Sequence, residues 1–159
     1  MINVGDRLPS ATFTTMGEGG PQPKTTDDIF KGKKVVLFAV PGAFTPTCSK
    51  AHLPGFIDQA DAIKAKGVDT IACVAVNDVF VMHAWGKNAD ADGRVAMLAD
   101  GSGKFAEAIG LSLDLSERGM GVRSKRYSML VDDGVVKSVN VEPGPGTEVS
   151  GAEAMLKQL

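Results

Sequence analysis

Scarcity of cysteine and the near balance of charge exclude several function classes at once. Two cysteines in 159 residues, Cys48 and Cys73, cannot build a disulfide framework, and neither belongs to a C-x-x-C pair. A thiol used for chemistry is therefore expected in place of a structural bridge. Seventeen lysines and arginines against nineteen aspartates and glutamates leave a formal net charge of −2, which argues against nucleic acid or an anionic membrane as the main partner. The cluster Arg118, Arg123, Lys125 and Arg126 is basic and reads as a partly solvated face. No apolar run approaches the length of a membrane span. Met1 to Leu8 carries Asp6 and no apolar stretch of the secretory kind, so a cytoplasmic protein is expected. No repeat, low-complexity tract or linker divides the chain, and 43% hydrophobic with 23% charged residues suits one domain over residues 1–159.

What the chain does have is one concentrated stretch, Val40-Pro41-Gly42-Ala43-Phe44-Thr45-Pro46-Thr47-Cys48. The apolar run before it, Val35 to Val40, reads as a buried strand, and the segment after it reads as a helix. Pro46 has the fixed φ and missing N–H that suit a first helical position, and Thr45 before it is a good N-cap. Cys48 then falls in the first helical turn, where free N–H groups and the positive end of the helix dipole favour an anion and bias the sulfur toward thiolate. An ordinary thiol, with a pKa of about 8.5, is only a few per cent ionised near neutral pH, and reversing that takes about 3 to 4 kcal/mol. A helix terminus supplies roughly 0.3 to 1 kcal/mol, and about 2 in favourable geometry. A fixed cation beside Cys48 is therefore expected.

The rest of the chain alternates strand and helix signals. Pro9 to Thr15 reads as an edge strand or hairpin arm and Met16 to Pro23, with three glycines and two prolines, as a turn. Thr26 to Gly32 suggests one or two helical turns, followed by the strand Lys34 to Val40. The helix after Cys48 contains Leu53-Pro54-Gly55, so a kink is expected near Lys50 to Pro54, without division into two helices. Phe56, Ala60 and Ile63 form its apolar stripe and Gly67 its stop. Val68 to Val76 is a strand; Asn77-Asp78 closes it and caps a helix over Val79 to Ala89. Val95 to Ala99 is a short strand, Ser102 to Ile109 a short helix, and Arg118 to Gly121 a turn. Tyr127 to Val131 and Val135 to Val141, joined by Asp132-Asp133-Gly134, read as a hairpin. After the loop Glu142 to Gly146, the capping box Ser150-Gly151-Ala152-Glu153 predicts a final helix to about Gln158. The alternation implies an α/β sandwich around a mixed sheet.

Pro41-x-x-x-Thr45-x-x-Cys48 resembles the peroxidatic motif of the peroxiredoxins. The longer Pro41 to Ser49 stretch with His52-Leu53-Pro54-Gly55-Phe56 is similar to the peroxiredoxin 5 type. Further matches are Val76 to Val81, Gly121 to Ser128 and Asn140-Val141-Glu142-Pro143. The resemblance implies a thioredoxin-like fold with an N-terminal extension, no metal or organic cofactor, and reduction of hydrogen peroxide and organic hydroperoxides through a Cys48 sulfenic acid. It implies that the cation is Arg123, which spacing alone would leave a surface arginine. It also implies that Thr45 turns its hydroxyl toward the substrate while Pro41 shields the sulfur, and that Phe44 and Phe80 neighbour a homodimer interface. No thiol stands in Gly144 to Gly151, where some members carry a resolving cysteine, and Cys73 sits mid-strand as a small hydrophobe. A one-cysteine cycle is expected, recycled by an external thiol such as glutathione with glutaredoxin, or by thioredoxin.

Other readings accompany these residues. Thr45 could serve as an N-cap alone, and Phe44 and Phe80 as core. His52, four residues past Cys48, either supports the site or holds the kink. A cysteine hydrolase would pair Cys48 with His52 but has no evident group to orient the imidazole. A zinc module from Cys48, His52, Cys73 and His83 lacks the usual ligand spacing, and a disulfide reductase lacks its C-x-x-C.

Overall fold

The computed structural model describes residues 1–159. Its centre is β3 (Lys34–Val40), where six of seven residues are buried. Such a run, apolar on both faces, belongs inside a sheet covered on both sides. β3 pairs in parallel with β4 (Thr70–Ala75) and antiparallel with β8 (Tyr127–Asp132). β5 (Ala96–Ala99) joins β4 in parallel, and β9 (Val135–Val141) joins β8 antiparallel. With β1 (Thr12–Gly17) and β2 (Gly20–Thr25) the seven-stranded order is β2-β1-β5-β4-β3-β8-β9, a mixed sheet flanked by helices as expected.

The period of two along β3 divides the core. Val36, Phe38 and Val40 face one layer with Cys48, Cys73, α2 (Leu53–Asp58), α3 (Ala60–Lys64), α4 (Val79–Asn88) and α6 (Ala152–Leu156). Val35, Leu37 and Ala39 face the other, with α1 (Thr26–Phe30), α5 (Lys104–Ala108) and Tyr127. The motif loop follows Val40, so the chain enters the first layer with Cys48 aimed at it.

Several expectations are corrected. Met16 to Pro23 is not a turn but the tip and outer arm of a hairpin, with Pro21 and Pro23 on β2, opposite Met16 and Thr14. β2 is the outermost strand, where a missing N–H costs no ladder bond. The disturbance expected at Lys50 to Pro54 takes the form of a π-helical turn over Cys48–His52, in which the Leu53 N–H donates to the Cys48 carbonyl. The wider turn precedes Pro54, whose ring crowds the preceding turn and which has no N–H to give. Gln59 (φ −96°, ψ 7°) then separates α2 from α3. A two-stranded ribbon, β6 (Ser112–Leu115) with β7 (Gly121–Ser124), has no counterpart in the sequence reading; its residues are largely exposed or half-buried and so carry no apolar alternation. The turn at Asp133 (φ 49°) and Gly134 (φ 80°) has the positive φ values of a tight hairpin. The final helix, α6, has Gly151 at its N-cap and no side-chain cap bond, so Ser150 does not cap it.

Candidate active site

Cys48 is fully buried at the start of the π turn, and its sulfur accepts a hydrogen bond of 2.9 Å from Nη2 of Arg126. Nη1 of the same guanidinium lies 2.9 Å from His52 Nδ1. A guanidinium offers donors only, in a rigid planar fork, so one side chain holds both partners at a fixed separation. Arg126 is itself 7% exposed. It stands one residue before β8, and its carbonyl accepts the Glu142 N–H at 2.9 Å. Ala39 opposes Tyr127 across β3 and β8, and Tyr127 points into the far layer. Its neighbour Arg126 therefore points into the layer of Cys48.

Arg123 does not touch the sulfur. Its Nε donates to the Met120 carbonyl at 2.8 Å and its Nη1 to the Val76 carbonyl at 3.3 Å. It forms the outer wall of the motif loop, where a Cβ at Gly42 would lie 3.3 Å from Nη1. The guanidinium that contacts the sulfur is that of Arg126, not of Arg123 as expected. From the sequence Arg126 stands in the basic cluster and in the matching Gly121 to Ser128 block without a role of its own; the signal that could have found it is its position directly before a strand that pairs with β3.

His52 lies in the π turn and also contacts Arg126. Its Nε2 lies 2.9 Å from the Ser150 carbonyl, an acceptor, so Nε2 carries the proton and Nδ1 accepts from Arg126. Burial holds its pKa down to about 4, Arg126 lowers it further, and the Ser150 carbonyl and Glu142 act the other way. The ring is neutral near pH 7. Its face packs beside Phe38 and Phe56, with ring centroids at 4.9 and 5.6 Å.

Thr45 donates its hydroxyl proton to the Gly42 carbonyl at 2.7 Å, which leaves that oxygen able to accept but not to donate elsewhere. It is not a side-chain N-cap; its backbone carbonyl accepts the Ser49 N–H at 2.9 Å. Pro41 is half-buried. Phe44 has a positive φ of 62°, uncommon for a bulky residue, and is 51% exposed. Its ring centroid lies 6.4 Å from that of Trp85, whose indole N–H donates to Ser49 Oγ at 3.0 Å. The Ala43 N–H donates to Asn77 Oδ1 at 2.9 Å, fastening the loop to the end of β4.

Cys73 lies on β4, the middle strand of the seven, opposite Phe38 and Met97. Burial pushes its thiol pKa well up, and the nearby Cys48 sulfur adds to that. No three His, Cys, Asp or Glu side chains converge as metal ligands. The arrangement thus offers one buried sulfur held by a guanidinium and, three residues earlier in the chain, a hydroxyl oxygen whose proton is already committed.

Residues 3–156 match the redoxin family model. The rice (Oryza sativa subsp. japonica) peroxiredoxin-2C is 51% identical over 159 residues, covering 99% of this chain and 98% of the relative. Among solved structures, reduced Prx3 of Vibrio vulnificus in complex with H2O2 superposes with a TM-score of 0.95 at 52% identity, covering 99% of both chains. Peroxiredoxin 5 of Alvinella pompejana gives 0.86 at 41%, covering 99% of this chain and 97% of that one. With its mixed seven-stranded sheet in the thioredoxin-like arrangement, the chain belongs to the redoxin family as a peroxiredoxin, a thiol peroxidase that reduces peroxide at the expense of a thiol reductant.

Proposed function

We propose that Cys48 is the peroxidatic nucleophile and that Arg126, not Arg123, is the cation that activates it. The observation that carries this reading is the 2.9 Å contact from Nη2 to the sulfur. A Cys48 thiolate attacks one oxygen of a hydroperoxide, an S–O bond forms as the O–O bond breaks, and the leaving oxygen takes a proton to depart as water or an alcohol. The committed proton of Thr45 makes its oxygen an acceptor for the hydroperoxide O–H, and Pro41 shields the sulfur from bulk water. The match to a Prx3 solved with H2O2 supports hydrogen peroxide as one substrate.

The cycle closes without a second protein thiol. An external thiol such as glutathione attacks the sulfenic acid, releasing water and leaving a mixed disulfide on Cys48; a second thiol, delivered by glutaredoxin or thioredoxin, exchanges it away. The place of Cys73 supports this, since it lies fully buried on the middle strand with partners on both sides, the setting of an inert small hydrophobe. Exposure of Phe44 and Phe80, 51% and 64%, supports a homodimer with these rings at its interface. We place the protein in the cytoplasm as one domain over 1–159.

Intact mass and peptide mapping after one equivalent of peroxide, with a sulfenic-acid trap, test this reading. The adduct should appear on Cys48 alone, Cys48→Ser should abolish turnover, and Cys73→Ser should recycle like the parent with glutathione and glutaredoxin. Equal loss in both folded variants would overturn the nucleophile, and a quantitative Cys48 to Cys73 bridge would overturn the one-cysteine cycle.

A further inference from the structure

Ser150 forgoes the helix cap that its sequence context predicts, and the group that takes its hydroxyl is Glu142. The Glu142 carboxylate gathers four donors from one loop: the Glu148 N–H at 3.2 Å on Oε1, and on Oε2 the Val149 N–H at 3.2 Å, the Ser150 N–H at 3.1 Å and the Ser150 hydroxyl at 2.7 Å. Ser150 is fully buried. A side-chain cap stabilises a helix start, and α6 begins without one. What the chain gains is a fixed direction for the Ser150 carbonyl, which points at His52 Nε2 from 2.9 Å.

That direction decides the tautomer. An acceptor at Nε2 requires the proton there, so Nδ1 presents a lone pair to Nη1 of Arg126 at 2.9 Å. The opposite tautomer would set a ring N–H against a guanidinium N–H and a lone pair against a carbonyl, two mismatches in a buried site. Because the ring is neutral near pH 7, it is the position of its one proton that this loop controls. Glu142 also donates its backbone N–H to the Arg126 carbonyl at 2.9 Å, so it grips the arginine from both ends of the chain of contacts.

We propose that Glu142 is a positioning residue for the peroxide reaction: by clamping residues 148–150 it fixes the His52 tautomer through the Ser150 carbonyl, and through His52 the placement of Arg126 on Cys48. The proposal rests on the reading of Cys48 and Arg126 given above. Its first measurement does not, because it is made on the resting protein without peroxide.

The chain has two histidines, so nitrogen-15 histidine spectra with a His83→Gln control isolate His52. The parent should show a single tautomer protonated at Nε2; a ring protonated at Nδ1 would overturn the proposal whatever the variants do. Glu142→Ala should give a mixture of tautomers together with a loss of about ten-fold in the rate of Cys48 oxidation, on the order of one weakened charge-assisted hydrogen bond. Glu142→Gln keeps one acceptor oxygen for Ser150 and Val149 and should recover most of both. A folded Glu142→Ala that moves the rate but not the tautomer, or the tautomer but not the rate, would overturn the route through His52. A parent with one fixed tautomer and no peroxidase activity would instead overturn the functional reading and leave the clamp standing.

Discussion

Replacing Arg126 by alanine removes two hydrogen bonds of 2.9 Å, one to the Cys48 sulfur and one to His52 Nδ1. The bond to sulfur is charge-assisted, and such bonds contribute about 1.5 to 3 kcal/mol. If that stabilisation is carried into the transition state, a tenfold change per 1.36 kcal/mol makes the loss in peroxide attack about 10- to 150-fold. Arg126→Lys should recover little, because an ammonium is a point charge and cannot reach both acceptors with the spacing of a planar fork. Arg123→Ala removes bonds to the Met120 and Val76 carbonyls and none to sulfur, so less than about a threefold loss is expected. Stopped-flow fluorescence suits the measurement. The one tryptophan, Trp85, bonds to Ser49, next to Cys48 in the chain. Arg126→Ala also leaves a buried lone pair on His52 unpaired, at about 1 to 3 kcal/mol, so circular dichroism must show that the variant is folded at the assay temperature. A folded Arg126→Ala with the parental rate, or a large loss confined to Arg123→Ala, would refute the assignment of the cation.

His52 gives the protein a specific acid sensitivity. Its folded pKa of about 4 lies below the ordinary 6.5, so between those values the unfolded chain binds a proton that the folded protein refuses, and stability falls as pH is lowered through that window. At 1.36 kcal/mol per unit the loss is about 3 kcal/mol. Denaturant titrations of the parent and His52→Gln at pH 7 and at pH 4 should differ by about that amount, and superimposable pH profiles would refute it. Phe80→Glu should convert a dimer to a monomer in sedimentation, while a parent that is monomeric at assay concentrations would remove the basis for the dimer.

Much of the fold was legible because its causes are local. Val35 to Val40 reads as a buried strand from composition alone, Asp78 caps α4 through a bond to the Val81 N–H, and Asp133-Gly134 turns the last hairpin. Where causes were not local the reading failed. Pro21 and Pro23 mark a turn unless they lie on an outer edge, and nothing in Gly20 to Thr25 says which strand will be outermost. Ser150 with Glu153 has the pattern of a capping box, but the buried hydroxyl had the carboxylate of Glu142, directly after β9, available.

The sequence by itself determined where Cys48 stands, since Pro46 and the strand that ends at Val40 set the start of the helical segment just before it. It also determined that a helix terminus alone would leave the thiol short of a cation. Which arginine lies against the sulfur was decided by tertiary structure. Arg123 and Arg126 are three apart in one basic cluster, and only the pairing of β8 with β3 turns Arg126, 78 residues from Cys48 in the chain, into the layer that holds the sulfur. The clamp of Glu142 on Ser150 and the tautomer of His52 are of the same kind. Each depends on a buried polar group finding its partner across the fold, and a chain read residue by residue carries no signal of such a meeting.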